Sequence, residues 1–140
     1  MISSNDGMFR LTRPEKPFHF TGERLTSAIS GGVEMEHLHR YCFARDLCVG
    51  RDVLDVASGE GYGTAMLAGV ARSVLGVERD AEAVDHACHT YTSGNLRFEA
   101  GDALDLLLGD ASVDVVVSFE TIEHLPDQRR FLEDKSKCTG

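Results

Sequence analysis

The sequence predicts an α/β fold, a parallel sheet with helices on both faces and one extra helix in front. Three observations predict it. Short β-branched runs alternate with segments of helical periodicity. A glycine-rich turn, Gly59, Gly61 and Gly63, stands between the first such run and the helix that follows. The size and composition, 140 residues with 42% hydrophobic and 26% charged, fit one globular domain.

The elements follow in order. Residues 1–32 carry Pro14, Pro17, Gly7, Gly22, Gly31 and Gly32 with little periodicity, which predicts an irregular N-terminal arm. Residues 33–140 form the folded domain. Val33–Cys48 is an amphipathic helix with Met35, Leu38, Cys42, Ala44, Leu47 and Cys48 at near-helical spacing, and Gly50 stops it. Asp52–Ala57 is a buried strand, and Thr64–Val70 returns to helix. Ser73–Glu78 is the second strand, and Asp80 caps a helix from Ala81 to about Tyr91. Leu96–Ala100 is a short third strand, and Ala103–Leu108 supplies one or two helical turns. Val113–Phe119 is the most strand-like segment, dense enough in valine to be covered on both faces. Pro126 suits the first turn of a last helix.

Charge and cysteine content narrow the function. A net charge of −9 disfavours sequence-independent nucleic-acid binding, which needs clustered Lys and Arg. No apolar run is long enough to span a membrane, and the first residues lack the apolar core of a signal peptide. Cys42, Cys48, Cys88 and Cys138 form no CxxC pair, so reduced thiols in the cytoplasm are expected, with Cys42 and Cys88 packing as small hydrophobes. His86 and His89 stand three apart on a helix without an acidic partner, and no metal site is expected.

In parallel sheets of this kind ligands bind beyond the carboxyl ends of the strands. That rule groups Ala57–Gly63, Glu78–Asp80, Gly101–Asp102 and Phe119–His124. The amides of a glycine turn and a helix N-terminus favour an anionic group. Glu78, at the end of the second strand, has the acid that accepts hydrogen bonds from ribose hydroxyls, so the pair points to a nucleoside-bearing cofactor. The dinucleotide fingerprint GxGxxG is not met, because Thr64 occupies its third glycine. A nicotinamide oxidoreductase is therefore the weaker alternative.

Four blocks in this order, VLDVASGEGYGT (53–64), GVERD (76–80), GDA (101–103) and VDVVVSFETIEHL (113–125), resemble the class I S-adenosylmethionine-dependent methyltransferases. TGERL (21–25) with EHLHRY (36–41) resembles bacterial members that act on sugars and surface polysaccharides. The resemblance implies a Rossmann-like domain with S-adenosylmethionine as cofactor. It places Gly59, Gly61 and Gly63 along the methionine half, and Ala57 and Arg79 in the same pocket. Asp55 orients the loop or meets the amino group. Glu78 holds the ribose, Asp102 and Ala103 face the adenine, and Ser118, Phe119 and Glu120 close the pocket near the sulfonium. Carboxylates and aromatic faces suit a cation. The N-terminal helix, with His37, His39, Arg40 and Tyr41, covers the site.

A hydroxyl acceptor needs a base, and His124 and Glu120 are the candidates because they follow the fourth strand. The implied acceptor is a small molecule or sugar, and a cofactor-binding fragment without catalysis is the alternative. The resemblance covers only strands 1–4 of a seven-stranded fold, and the polar tail from Glu133 lacks the fifth. A truncation or frame change near residue 133 is thus expected, leaving the fourth strand on an edge that could pair two copies of the chain.

Overall fold

The computed structural model describes residues 32–139 except 107 and 120, with side chains from Leu38 onward. The arm expected over residues 1–32 lies outside the described residues but for Gly32. The elements are α1 (Gly32–Cys48), β1 (Asp52–Val56), α2 (Tyr62–Ala68), β2 (Ser73–Glu78), α3 (Ala81–Thr90), β3 (Leu96–Ala100), β4 (Val115–Val117), a 3-10 turn (Ile122–His124) and α4 (Gln128–Cys138). The four strands form one sheet in the order β3-β2-β1-β4. Every pairing is parallel, with Asp55 opposite Gly76 on one side and Val117 on the other.

Alternation along β1 divides the core. Val53 joins Tyr41, Ala44 and Cys48 of α1, Leu67 of α2, Leu96 of β3 and Val117 of β4 in one cluster. Leu54 and Val56 face the other way and pack with Val77 and Phe131 of α4. Asp55 shares the first face, beneath α1 and α2, where no solvent reaches it. At the opposite end of the sheet Asp52 accepts from Arg72 Nε at 2.9 Å and Ser73 Oγ at 2.7 Å. These bonds hold its carboxyl down at about 2.

The first three strands and two helix ends match the sequence reading closely. Asp80 caps α3, its carboxylate accepting from the Glu82 amide at 2.9 Å. Gly50 ends α1 in the left-handed region at φ +67°.

Four expectations change. The buried stripe of α1 is Leu38, Tyr41, Ala44 and Cys48, while Cys42 is half-buried and Leu47 is 57% exposed. Tyr41 continues a stripe of three- and four-residue steps that Cys42 would break. Cys88 is exposed, so the inward-packed thiols are Cys48 and Cys138. Residues 103–108 make a turn at Ala103–Leu104 and no helix among the described residues. The Asp102 carboxylate accepts from the Leu104 amide at 2.9 Å. Leu104, Leu106 and Leu108 then reach the second cluster at a spacing of two, which a helix cannot give.

The fourth strand is three residues long instead of seven. Before it, the Asp114 amide donates to the Asp52 carbonyl, and the Asp114 carboxylate accepts from the Asp52 amide at 2.8 Å. After it, Phe119 leaves the sheet to pack on Tyr41. Among the described residues no strand flanks the outer edge of β4. The segment leading into it is held by the end of α4: the Val113 amide donates to the Cys138 carbonyl at 3.0 Å, and Val113 bridges Thr139.

The last helix starts at Gln128, capped by Asp127, and takes in most of the polar tail. Phe131, Lys135 and Cys138 are its buried residues. Burial lowers the Lys135 pKa, and its ammonium lies 5.3 Å from the centre of the Phe131 ring. Phe131 is therefore the anchor of α4. Phe131→Ala is expected to lower unfolding stability by about 3 kcal/mol, read as a lower urea midpoint. An unchanged midpoint would show that α4 is not docked on the sheet.

Candidate functional site

The site begins where β1 ends. Ala57 turns the chain with φ +62°, a left-handed conformation that non-glycine residues seldom adopt. The Ser58 amide then donates to the Val77 carbonyl at 3.0 Å, tying the turn to β2. Gly59 and Gly61 follow, also left-handed, at φ +57° and +92°.

The three glycines do different work. A Cβ on Gly61 would stand 2.7 Å from the Ala87 Cβ of α3, and one on Gly63 would enter the Tyr41 ring at 2.2 Å. Those two positions let helix, strand and turn close on one another. A Cβ on Gly59 would meet nothing within 4 Å, so Gly59 is where bare backbone faces open space.

Glu78 reaches the same turn from β2. Its Oε2 accepts from the Gly59 amide at 2.9 Å. Its Oε1 accepts from the amides of Arg79 at 2.8 Å and Asp80 at 3.0 Å. A carboxylate has about four acceptor positions, so one on Oε2 is left for a further donor. Arg79 is itself exposed and contributes its amide.

Asp55 is enclosed. Tyr41 Oη donates to its two oxygens at 3.0 and 3.2 Å, and Thr64 Oγ1 donates at 2.7 Å. Burial raises its pKa to about 7 against these two hydroxyl bonds, with a further upward push from the Glu78 charge. The same enclosure drives the Tyr41 phenol far above its ordinary range. The side-chain bonds of Asp55 go to the α1 and α2 hydroxyls, at the base of the loop.

Phe119 joins from β4. Its ring stands edge-to-face on Tyr41, with centroids 5.0 Å apart. Ser118 and Ser58 each carry a buried hydroxyl with no hydrogen-bond partner among the described residues. They lie on the segments just past two adjacent strands. Thus Asp55, the glycine turn, Glu78 and Phe119 converge, with Tyr41 between them.

Other expected residues stand apart. The Asp102 carboxylate serves its own turn, and Ala103 is half-buried behind it. His124 lies on the 3-10 turn with 78% of its side chain exposed, 3.9 Å from Glu123. Glu120 lies outside the described residues. His86 Nε2 meets the Thr90 hydroxyl and His89 Nδ1 the Asp85 carbonyl, both on the surface of α3. Sequence reading missed three contributors: Tyr41 as a contact, Thr64 and Ser58. Tyr41 was readable from its place in the buried stripe of α1. Thr64 was noticed only as a missing glycine.

The sequence profile of the family described as "Methyltransferase domain" matches residues 54–139. A protein of Mycolicibacterium smegmatis named as a probable S-adenosylmethionine-dependent methyltransferase is 40% identical over 116 residues, covering 81% of this chain and 44% of that one. A Mycobacterium tuberculosis protein of the same description is 46% identical over 87 residues, covering 62% and 31%. The chain thus spans less than half the length of these curated relatives. Among solved structures, the methyltransferase in the complex with the Haloferax volcanii Trm112 activator is 28% identical with a TM-score of 0.68, covering 76% of this chain and 50% of that one. The YcgJ protein of Bacillus subtilis shares the fold, with a TM-score of 0.65 at 23% identity, covering 73% and 46%.

The buried carboxyl gives a pH signature. Burial holds the proton on folded Asp55 up to about 7, whereas an unfolded aspartate releases it near the ordinary 3.8. The folded state therefore binds the extra proton between those limits, and the stability Asp55 contributes falls as pH rises through them. Asp55→Asn does not titrate. The stability of the natural chain relative to Asp55→Asn is expected to decline from pH 4 to pH 7 and level off above, measured by urea unfolding. A difference that is flat with pH would contradict the burial of this carboxyl.

Proposed function

Since the chain belongs to the methyltransferase-domain family, we propose that it binds S-adenosylmethionine and takes part in methyl transfer to a small-molecule or sugar acceptor. The observation that carries this reading is Glu78 at the end of β2. Its carboxylate is held by three amides and keeps an acceptor position beside the open backbone of Gly59. A ribose hydroxyl is the donor that such a position takes.

The chemistry of the lining fits this cofactor. The unpartnered hydroxyls of Ser58 and Ser118 are ready for polar groups that enter beside them. Gly59 admits a chain that a side chain would block. When bound, S-adenosylmethionine supplies a methyl group on a cationic sulfonium. Glu78 orients the nucleoside end by its hydrogen bond. The Ser58 and Ser118 hydroxyls would hold the polar end beside the bare backbone of Gly59. Phe119 shields the cleft and offers a ring face, which suits a cation. The adenine side is assigned to Asp102 and Ala103 by the family resemblance alone, while Ala57 and Arg79 border the turn. Holding donor and acceptor in line supplies much of the rate of such a displacement.

The acceptor class rests on the resemblance of residues 21–25 and 36–41 and on the base candidates. His124 stands free to take a proton from a hydroxyl acceptor, with Glu120 beside it in sequence. One relative, from Penicillium expansum, is named an O-methyltransferase and is 36% identical over 88 residues. Pairing of two copies along β4 and a cytoplasmic location belong to the same reading. The second is supported by four free cysteines. No helix among the described residues is long and apolar enough to cross a membrane.

A second reading is favoured by the exposure of His124. Here the chain is a cofactor-binding unit without transfer. Calorimetric titration with S-adenosylmethionine beside a methyl-release assay separates the two. Glu78→Ala is expected to weaken S-adenosylmethionine binding by about 1.5–3 kcal/mol, on the order of ten- to a hundredfold. Unchanged affinity would overturn the ribose assignment.

A further inference from the structure

Tyr41 lies on a helix that precedes the site in sequence, yet it meets Asp55, Gly63 and Phe119 at once. It is 5% exposed. Its hydroxyl lies within 3.2 Å of both oxygens of Asp55. Its ring lies so close to Gly63 that a Cβ there would be 2.2 Å away. Its ring centroid lies 5.0 Å from that of Phe119 and 6.0 Å from that of Tyr62, at interplanar angles of 81° and 64°. Strand β1, the glycine turn, the start of α2 and the exit of β4 therefore share one side chain.

Resting on the cofactor reading above, we propose that Tyr41 is a positioning residue for the cofactor turn. Its ring seats α1 on Gly63, and its hydroxyl fixes the Asp55 carboxyl, which in turn holds Thr64 at the head of α2. The two functions are separable. The ring packs by shape, and phenylalanine keeps it. The hydroxyl is one of two side-chain donors, among the described residues, to a carboxyl out of reach of solvent, and phenylalanine removes it.

Loss of that donor has a defined electrostatic consequence. A buried carboxylate with one hydroxyl donor instead of two is harder to ionise, so its proton is held to higher pH. The groups around it do not offset this. Glu78 on β2 adds like charge, Cys48 on α1 itself feels the Asp55 charge as an upward push, and Arg51 acts on that thiol. Tyr62 of α2 faces the Tyr41 phenol and adds no cation. An ionised Asp55 beneath the turn adds negative charge to the site without touching the ligand, which favours a ligand with a cationic amino group. Its pH midpoint then reports the Tyr41 hydroxyl.

The test is calorimetric titration of the full chain and of Tyr41→Phe with S-adenosylhomocysteine from pH 5.5 to 8.5, with circular dichroism as the check on folding. Tyr41→Phe is expected to fold, to bind about tenfold more weakly at pH 7, and to move the pH midpoint of binding upward. Equal binding across the range would overturn the proposal. A uniform loss with an unmoved midpoint would also overturn it, since the hydroxyl would then act on packing alone. If Tyr41→Phe does not fold, Thr64→Val removes the other donor to the same carboxyl and must give the upward shift. No shift there overturns the proposal. Absence of binding by the natural chain at every pH would overturn the cofactor reading itself, an outcome distinct from a defect confined to the variants.

Discussion

The rest of the structure depends on one buried carboxyl. Asp55 sits where β1 gives way to the glycine turn, out of reach of solvent, and two hydroxyls from two helices converge on it. A charge in that place is costly unless it is bonded. The cost is met by fixing Tyr41 and Thr64, and fixing them sets α1 and the head of α2 against the strand. Gly76, opposite Asp55 on β2, makes the arrangement possible. A Cβ there would meet the Phe98 ring at 2.7 Å and the Thr64 methyl at 3.0 Å.

From that frame the exposed features follow. With α1 and α2 fixed, Gly61 and Gly63 are consumed by packing, and only Gly59 is left facing open space. Glu78 gathers the amides of Gly59, Arg79 and Asp80 and so locks the turn to the head of α3. A turn rigid before a ligand arrives loses less entropy on binding. In the proposed function, the part of the site offered to a ligand is thus narrow: one glycine, one carboxylate and two hydroxyls without a partner among the described residues. Everything beneath them serves to hold those groups still.

Much of this was legible in the sequence, and the reason is local. The strands from 52 to 100 announce themselves by β-branched runs, and Asp80 and Gly50 mark helix ends through chemistry that acts within a few residues. Glu78 and the glycines were readable because their spacing is fixed by a strand-turn-helix unit. Failures came where distant contacts decide. Residues 103–108 have helical composition, but three leucines are drawn to the core at a spacing of two. The valine run of 113–119 is cut short because Asp114 turns to Asp52 and Phe119 to Tyr41. The partnership of Tyr41 with Asp55 spans fourteen residues and two elements, so no local pattern encodes it.

The central claim is that this buried frame presents Gly59 and Glu78 to a nucleoside cofactor. The most direct measurement is a crystal structure of the chain with S-adenosylhomocysteine. The account predicts a ribose hydroxyl within hydrogen-bond distance of Glu78 Oε2, the ligand chain crossing Gly59, and Tyr41 still bonded to Asp55. Ligand bound away from the carboxyl ends of β1 and β2, or Tyr41 displaced from Asp55 in the complex, would contradict it.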